Sequence, residues 1–240
     1  MPSFVSRVGG SLDPIAQLTQ AEQDNNIMCI YGEMKGNYGW SDEAIAGMCG
    51  CFHEESHFNP GIYETGHGGN LNNLPYFAGG MGMAQWTDYP AYTATYPNPL
   101  PWLADKYNEN WWDGIFQCFL FTKSVDPADT DMGYGQGPRW GWLAPSQSRP
   151  YPYIPFNDFI NNTPNFSVAQ ATVYWFYDWE WHDPQAPAGY VEARQQWAQY
   201  AYDLFHGQTP DPPGPGPGPG PTPSTSKKMP LWMYLKRIPF

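Results

Sequence analysis

Two chemistries are written into five consecutive residues, His53-Glu54-Glu55-Ser56-His57. The first is metal chemistry. H-E-x-x-H on a helix sets two imidazoles four residues apart on one face, a zinc site with the middle glutamate, Glu54, as base. His67 and Glu64 would be candidate third ligands. Against it, Pro60 and Tyr63 stand where the metzincin extension needs Gly and His, and chance matches to so short a pattern are common. No metal and no other cofactor is therefore expected. The second chemistry is proton transfer. Glu55 lies three residues after Phe52 on the stripe that turns to the core. Burial beside apolar groups and the negative end of a helix dipole both disfavour its anion. A carboxylic acid that stays protonated near neutral pH is what a glycosidic bond needs as its general acid. By periodicity alone the stronger reading of Glu55 is an ordinary glutamate of a last helical turn, its charge left in water.

The elements that hold these residues read as helices. Ile27, Ile30, Tyr31 and Met34 recur with helical spacing. Gly36 and Gly39 interrupt them. Ser41 can cap a second helix with Asp42 and Glu43 in its first turn and an apolar face of Ile45, Met48, Cys49 and Phe52. Asn59-Pro60 should end it. Residues 61–86, rich in Gly and Asn, suit a small β-hairpin or an irregular lobe. Trp112, Ile115, Phe116 and Phe119 mark a third helix, and 124–156 reads as a long ordered loop. Ser167 can cap a fourth, with face Ala169, Thr172, Val173, Phe176 and Tyr177. A fifth runs near Gly189–Phe205. The fold class expected is mainly α (α+β).

Composition narrows the functions. The chain is 41% hydrophobic and 18% aromatic, enough for a core and against wholesale disorder. It has no run of ~18 apolar residues to cross a bilayer. Met1 to Gly10 lacks an apolar h-region, so no secretory signal peptide is expected. Residues 1–207 carry 7 basic against 22 acidic residues, and 208–240 carry 4 against one. An acidic body argues against nucleic acid as a partner. Cys29, Cys49, Cys51 and Cys118 have no zinc-ribbon spacing and read as buried free thiols.

The segments around Glu55 carry a resemblance. Gly39-Trp40-Ser41, then Ala44, Ile45, Gly47, Met48, Cys49 and Gly50, lead into Glu55-Ser56, Asn59 and Pro60. Gly82, Gln85, Trp86 and Thr87 follow. An E-S-x-F-N-P with a later G-x-x-Q-W resembles the lysozyme superfamily, and most closely the phage tail lysozyme family. The similarity is firm over 24–90 and looser over 157–205, where Tyr177-Asp178-Trp179-Glu180 echoes the family's Y-E-R-P. Trp181 and His182 stand where Arg-Pro would follow, which removes the Arg from any salt bridge there.

The resemblance implies a lysozyme-like domain. Glu55 would be the acid that protonates the MurNAc–GlcNAc link of peptidoglycan, during genome delivery by the virion. Gln85, Trp86 and Tyr89 would be substrate-binding, the amide bonding a sugar and the indole stacking on one. Trp86 could equally be a core residue. Glu180 belongs to the same set, and with Glu64 and Asp88 is a candidate second carboxylate. A buried structural glutamate is the other reading of Glu180. Hydrolase and lytic transglycosylase stay open, as do tail protein and free endolysin. A non-enzymatic reading would use Trp140-Gly141-Trp142 and Tyr151-Pro152-Tyr153 as a sugar-binding surface.

Four segments follow: an N-terminal arm (1–23), a lysozyme-like domain (24–207), a Pro/Gly linker (208–226) and a C-terminal peptide (227–240). Pro210 to Pro223 alternates Pro with Gly, so it should be extended, at ~3 Å per residue with a reach of about 40 Å. Lys227 to Phe240 is basic and aromatic. It suits docking to a phage tail or other virion protein. Membrane contact, with Leu231, Trp232 and Leu235 inserted, is the second reading.

Overall fold

The computed structural model describes residues 3–65, 77, 79–86, 98–123, 142, 151–180 and 189–213. His67, Asp88, Tyr89, Trp140, Trp181 and His182 lie outside them, with most of the 124–156 loop and everything from 214 onward, which takes in nearly all the linker and the C-terminal peptide.

Seven α-helices are seen among the described residues. Thr19 opens α1 (Gln20–Gly36) in a capping box with Glu22. Ser41 opens α2 (Asp42–Ser56) by accepting from the Ala44 amide. Then come α3 (Pro99–Tyr107), α4 (Gly114–Lys123), α5 (Phe156–Asn161), α6 (Val168–Trp175) and α7 (Tyr190–Phe205). A π-helical turn, Phe176–Glu180, extends α6. The mainly α expectation holds.

α2 is the centre of the molecule, with α7, α6 and α1 packed round it. Every residue from Ala44 to His53 is buried. Two glycines admit its neighbours. A Cβ on Gly47 would stand 2.6 Å from the Ala171 carbonyl carbon, and one on Gly50 would stand 2.2 Å from the Arg194 carbonyl oxygen. Close backbone approach thus fixes α7 against α2. Around this axis lies an aromatic core. Trp86 stacks on Phe121 at 4.8 Å and Trp175 on Trp179 at 5.0 Å, with Phe52 4.7 Å from Phe121. Each buried ring contributes ~2–3 kcal/mol by its apolar area.

Two helical faces are rotated from the sequence expectation. In α4, Asp113 caps the Ile115 and Phe116 amides. Phe116, Gln117, Leu120 and Phe121 then turn inward, while Ile115 stays 54% exposed. In α6 the buried set is Val168, Ala171, Thr172 and Trp175 rather than Ala169 and Val173. Aromatic and β-branched residues occupy several faces of these helices, so periodicity alone leaves the phase open. α3 and α5 fall where no helix was expected, α5 being opened by Pro155.

The β part is small, as expected, and the described residues show its paired positions. β1 (Gly9–Gly10) pairs in parallel with β2 (Ile62–Tyr63), Gly9 opposite Ile62. Tyr63 bridges Met81, and Met81 bridges Trp86 across a tight turn. The first residues pack on the helical domain. Ala16 and Leu18 are buried, and the Asn26 side chain holds the Val5 backbone at both its N–H and its carbonyl. Asn59, read as a helix stop, is a buried clamp. Its amide donates to the carbonyls of Arg7 (2.9 Å) and Ala16 (2.8 Å), and its oxygen accepts from Gly61. α2 has already ended at Ser56, with His57 in the left-handed region at φ 49°.

Candidate active site

Glu55 occupies the last turn of α2. Arg194, on the first turns of α7, donates from Nη2 to Glu55 Oε1 at 2.7 Å. The same Nη2 donates to Glu180 Oε1 at 2.6 Å, and Arg194 Nε donates to that oxygen at 3.0 Å. Two carboxylates from two elements thus share one guanidinium. Arg194 and Glu180 are sealed, with 3% and 4% of their side chains exposed, whereas Glu55 keeps 18%. Of the three, Glu55 is the one open to an incoming molecule.

The charges follow from this burial. Burial pushes the Glu55 carboxyl well above the usual carboxylate range, and the neighbouring Glu180 adds to it, while Arg194 pulls the other way. Burial works against the Arg194 charge, but Glu180 and Glu55 outweigh it and push the Arg194 pKa up. Cys51, one turn before Glu55, has its thiol held neutral by burial and by Glu180. One cation facing two carboxyls is nearest to neutrality when one of them carries a proton. The Arg194 guanidinium also lies 4.8 Å from the Phe176 ring centroid, which fixes its plane.

The local folding explains the placement. The Gly50 contact brings the Arg194 backbone against α2 just over one turn ahead of Glu55. The π turn delivers Glu180 to the same point. π-helical turns inside helices recur at functional sites.

The two histidines of H-E-x-x-H stand together but are otherwise engaged. His53 Nε2 lies 3.2 Å from His57 Nδ1, and His53 Nδ1 is 3.0 Å from Glu54. The His53 ring stacks on Trp197 at 3.5 Å. Burial lowers the pKa of both histidines. Among the described residues no group of three His, Cys, Asp or Glu is placed to hold a metal. Glu54 is outward-facing.

The remaining expected site residues fall differently. Trp86 is 1% exposed and stacked in the core, so of its two sequence readings the core one describes its position. Gln85 is half-buried at φ 50°, its amide donating to the Gly82 carbonyl at 3.0 Å, closing its own turn. Glu64 accepts from the Gly80 amide in the β part. Trp142 donates to the Ile154 carbonyl and packs on Phe159, within the aromatic layer. All four cysteines are buried and free.

Sequence reasoning missed Arg194. The signal was available: Arg194 shares a helical stripe with Trp197, Ala198 and Ala201, so a charged residue sits on an apolar face, as Glu55 does. A buried acid at a helix end, paired through arginine with a second carboxylate, is equipped for proton transfer. Residues 25–205 match the phage tail lysozyme family, and the chain belongs to that family of lysozyme-like, cell-wall-degrading phage enzymes.

Proposed function

We propose that this protein cleaves the MurNAc–GlcNAc bond of peptidoglycan with Glu55 as general acid, as a virion component acting during genome delivery. The observation that carries the reading is the Glu55 carboxyl itself, held toward its protonated form beside a sealed Glu180–Arg194 pair yet still reachable from outside. In the step, the Glu55 proton passes to the glycosidic oxygen as the C1–O bond breaks. The GlcNAc fragment leaves as an alcohol, and positive charge develops at C1 of MurNAc. The Glu55 anion so formed is met by Arg194 at 2.7 Å. It then takes a proton from whatever attacks C1. That is water in a hydrolase, or the sugar's own C6 hydroxyl in a transglycosylase. Glu180, 4% exposed and bonded twice to Arg194, is poorly disposed to attack C1 itself. This favours either of those routes over a covalent glycosyl-enzyme.

Digestion of purified peptidoglycan by wild type and Glu55→Gln, read by mass spectrometry and a reducing-end assay, tests the reading. Reducing or anhydro-muramic ends, lost in the variant, are expected. Free amino termini, abolished by chelator and retained in Glu55→Gln, would refute it in favour of zinc at His53 and His57. The C-terminal peptide, 227–240, we assign to docking on a tail or other virion protein, with the linker as tether. Deleting 208–240 should leave activity in solution intact and remove the protein from virions.

A further inference from the structure

Arg194 poses a problem for an acid catalyst. A buried guanidinium 2.7 Å from a carboxyl would by itself strip the proton from that carboxyl, since a close opposite charge favours the ionised form. The geometry contains the answer. Arg194 gives Glu55 one hydrogen bond but gives Glu180 two, at 2.6 and 3.0 Å, both to the same oxygen. Glu180 is also the more enclosed carboxyl, 4% exposed against 18%. A carboxylate shut away from water leans on its strongest partner, and the doubly bonded Arg194 cation outweighs the neutral Cys51 thiol, so Glu180 takes the larger share of the cation.

We propose that Glu180 is a positioning residue whose carboxylate engages the buried Arg194 guanidinium, so that Glu55 beside it keeps its proton. The substrate never touches Glu180. Glu180 acts through Arg194 and through its own negative charge, which opposes a second anion at Glu55. Among the described residues, Glu180 from the π turn, Arg194 from α7 and Cys51 from α2 bear on Glu55, while His53 and Glu54 from α2 bear on Arg194. Cys51 stays neutral and Glu54 points outward. The balance is therefore struck chiefly between Glu180 and Arg194. The proposal rests on Glu55 being the acid, but the proton balance can be read without activity.

The test uses the full chain labelled with carbon-13 at the glutamate carboxyls, the Glu55 signal being assigned by its absence in Glu55→Gln. The Glu55 titration is followed by NMR beside the pH profile of peptidoglycan turnover. In Glu180→Gln, Glu55 is left alone with Arg194. Its titration and the alkaline limb of turnover should move down by about 1–3 pH units, so that activity lost at neutral pH returns in acid. Adding Arg194→Met to Glu180→Gln removes both charges and should move the titration back up. Arg194→Met alone should make Glu55 titrate above wild type. A merely structural Glu180 would lower turnover equally at every pH. An unmoved or raised Glu55 titration in Glu180→Gln overturns the proposal. If that variant does not fold, a Glu55 in Arg194→Met that titrates at or below wild type overturns it too. A wild type without glycosidase activity would refute the proposed reaction, while the NMR shifts would still decide the role of Glu180.

Discussion

Gly50 sets the distance on which the site depends, so Gly50→Ala should damage stability and catalysis together. The added Cβ would stand 2.2 Å from the Arg194 carbonyl oxygen and 2.8 Å from the Ala198 Cβ, where real contacts do not fall below 3.0 Å. Both obstacles belong to α7, and the nearer is backbone, so no rotamer relieves it. α7 must retreat from α2 by about 0.8 Å, the gap between 2.2 and 3.0 Å. Such overpacking costs ~1–3 kcal/mol. For a folded unit of this size that is roughly 3–10 °C in Tm. The same retreat carries Arg194 away from Glu55 and lengthens the 2.7 Å bond toward the ~3.5 Å at which a hydrogen bond is lost. Differential scanning calorimetry gives the first quantity, and turnover per folded molecule at a temperature well below both transitions gives the second. Gly32→Ala is the control. It lies within α1 with nothing inside 4 Å of the new methyl, and should stabilise by ~0.5–1 kcal/mol. A Gly50→Ala protein that melts within a degree of wild type and turns over substrate normally would refute the packing account of how Arg194 is placed.

Three further outcomes are expected. Glu55 has a folded pKa raised above its ordinary 4.5, so the stability it contributes is complete below pH ~4.5 and is lost as pH rises through the folded value. Glu55→Gln should therefore melt higher than wild type at neutral pH, with the increment vanishing in acid. His53 and His57 have pKa values lowered by burial from 6.5. The unfolded chain binds more protons as pH falls below ~6.5, and stability should drop there; in His57→Gln the drop between pH 6.5 and 5 should be smaller in urea titrations. Cys49, Cys51 and Cys118 are buried, with thiol pKa values pushed up by that burial. A chromogenic disulfide reagent should leave these three unmodified in the native protein and titrate four thiols in denaturant.

The local signals were legible in the sequence because they are local. Ser41 and Ser167 cap the helices they were expected to open, since an N-cap needs only a side chain and an amide two or three residues on. The spacing of Ile27, Ile30 and Met34 gave α1 its buried face. The phases of α4 and α6 were not legible, because apolar residues lie on more than one side and the neighbours choose between them. Trp86 shows the same limit: an indole serves a core or a sugar equally well, and only its stacking on Phe121 places it.

By itself the sequence determined that Glu55 lies on the core stripe at the end of a helix, where burial and the helix dipole disfavour its anion. Its motifs also carried the family. Only the tertiary structure decided what surrounds that carboxyl. Arg194 reaches Glu55 across 139 positions of chain and Glu180 across 14. No periodicity connects residues so far apart. Their meeting depends on Gly50 admitting α7 and on the π turn redirecting Glu180, and the charge balance at the acid is the product of that packing.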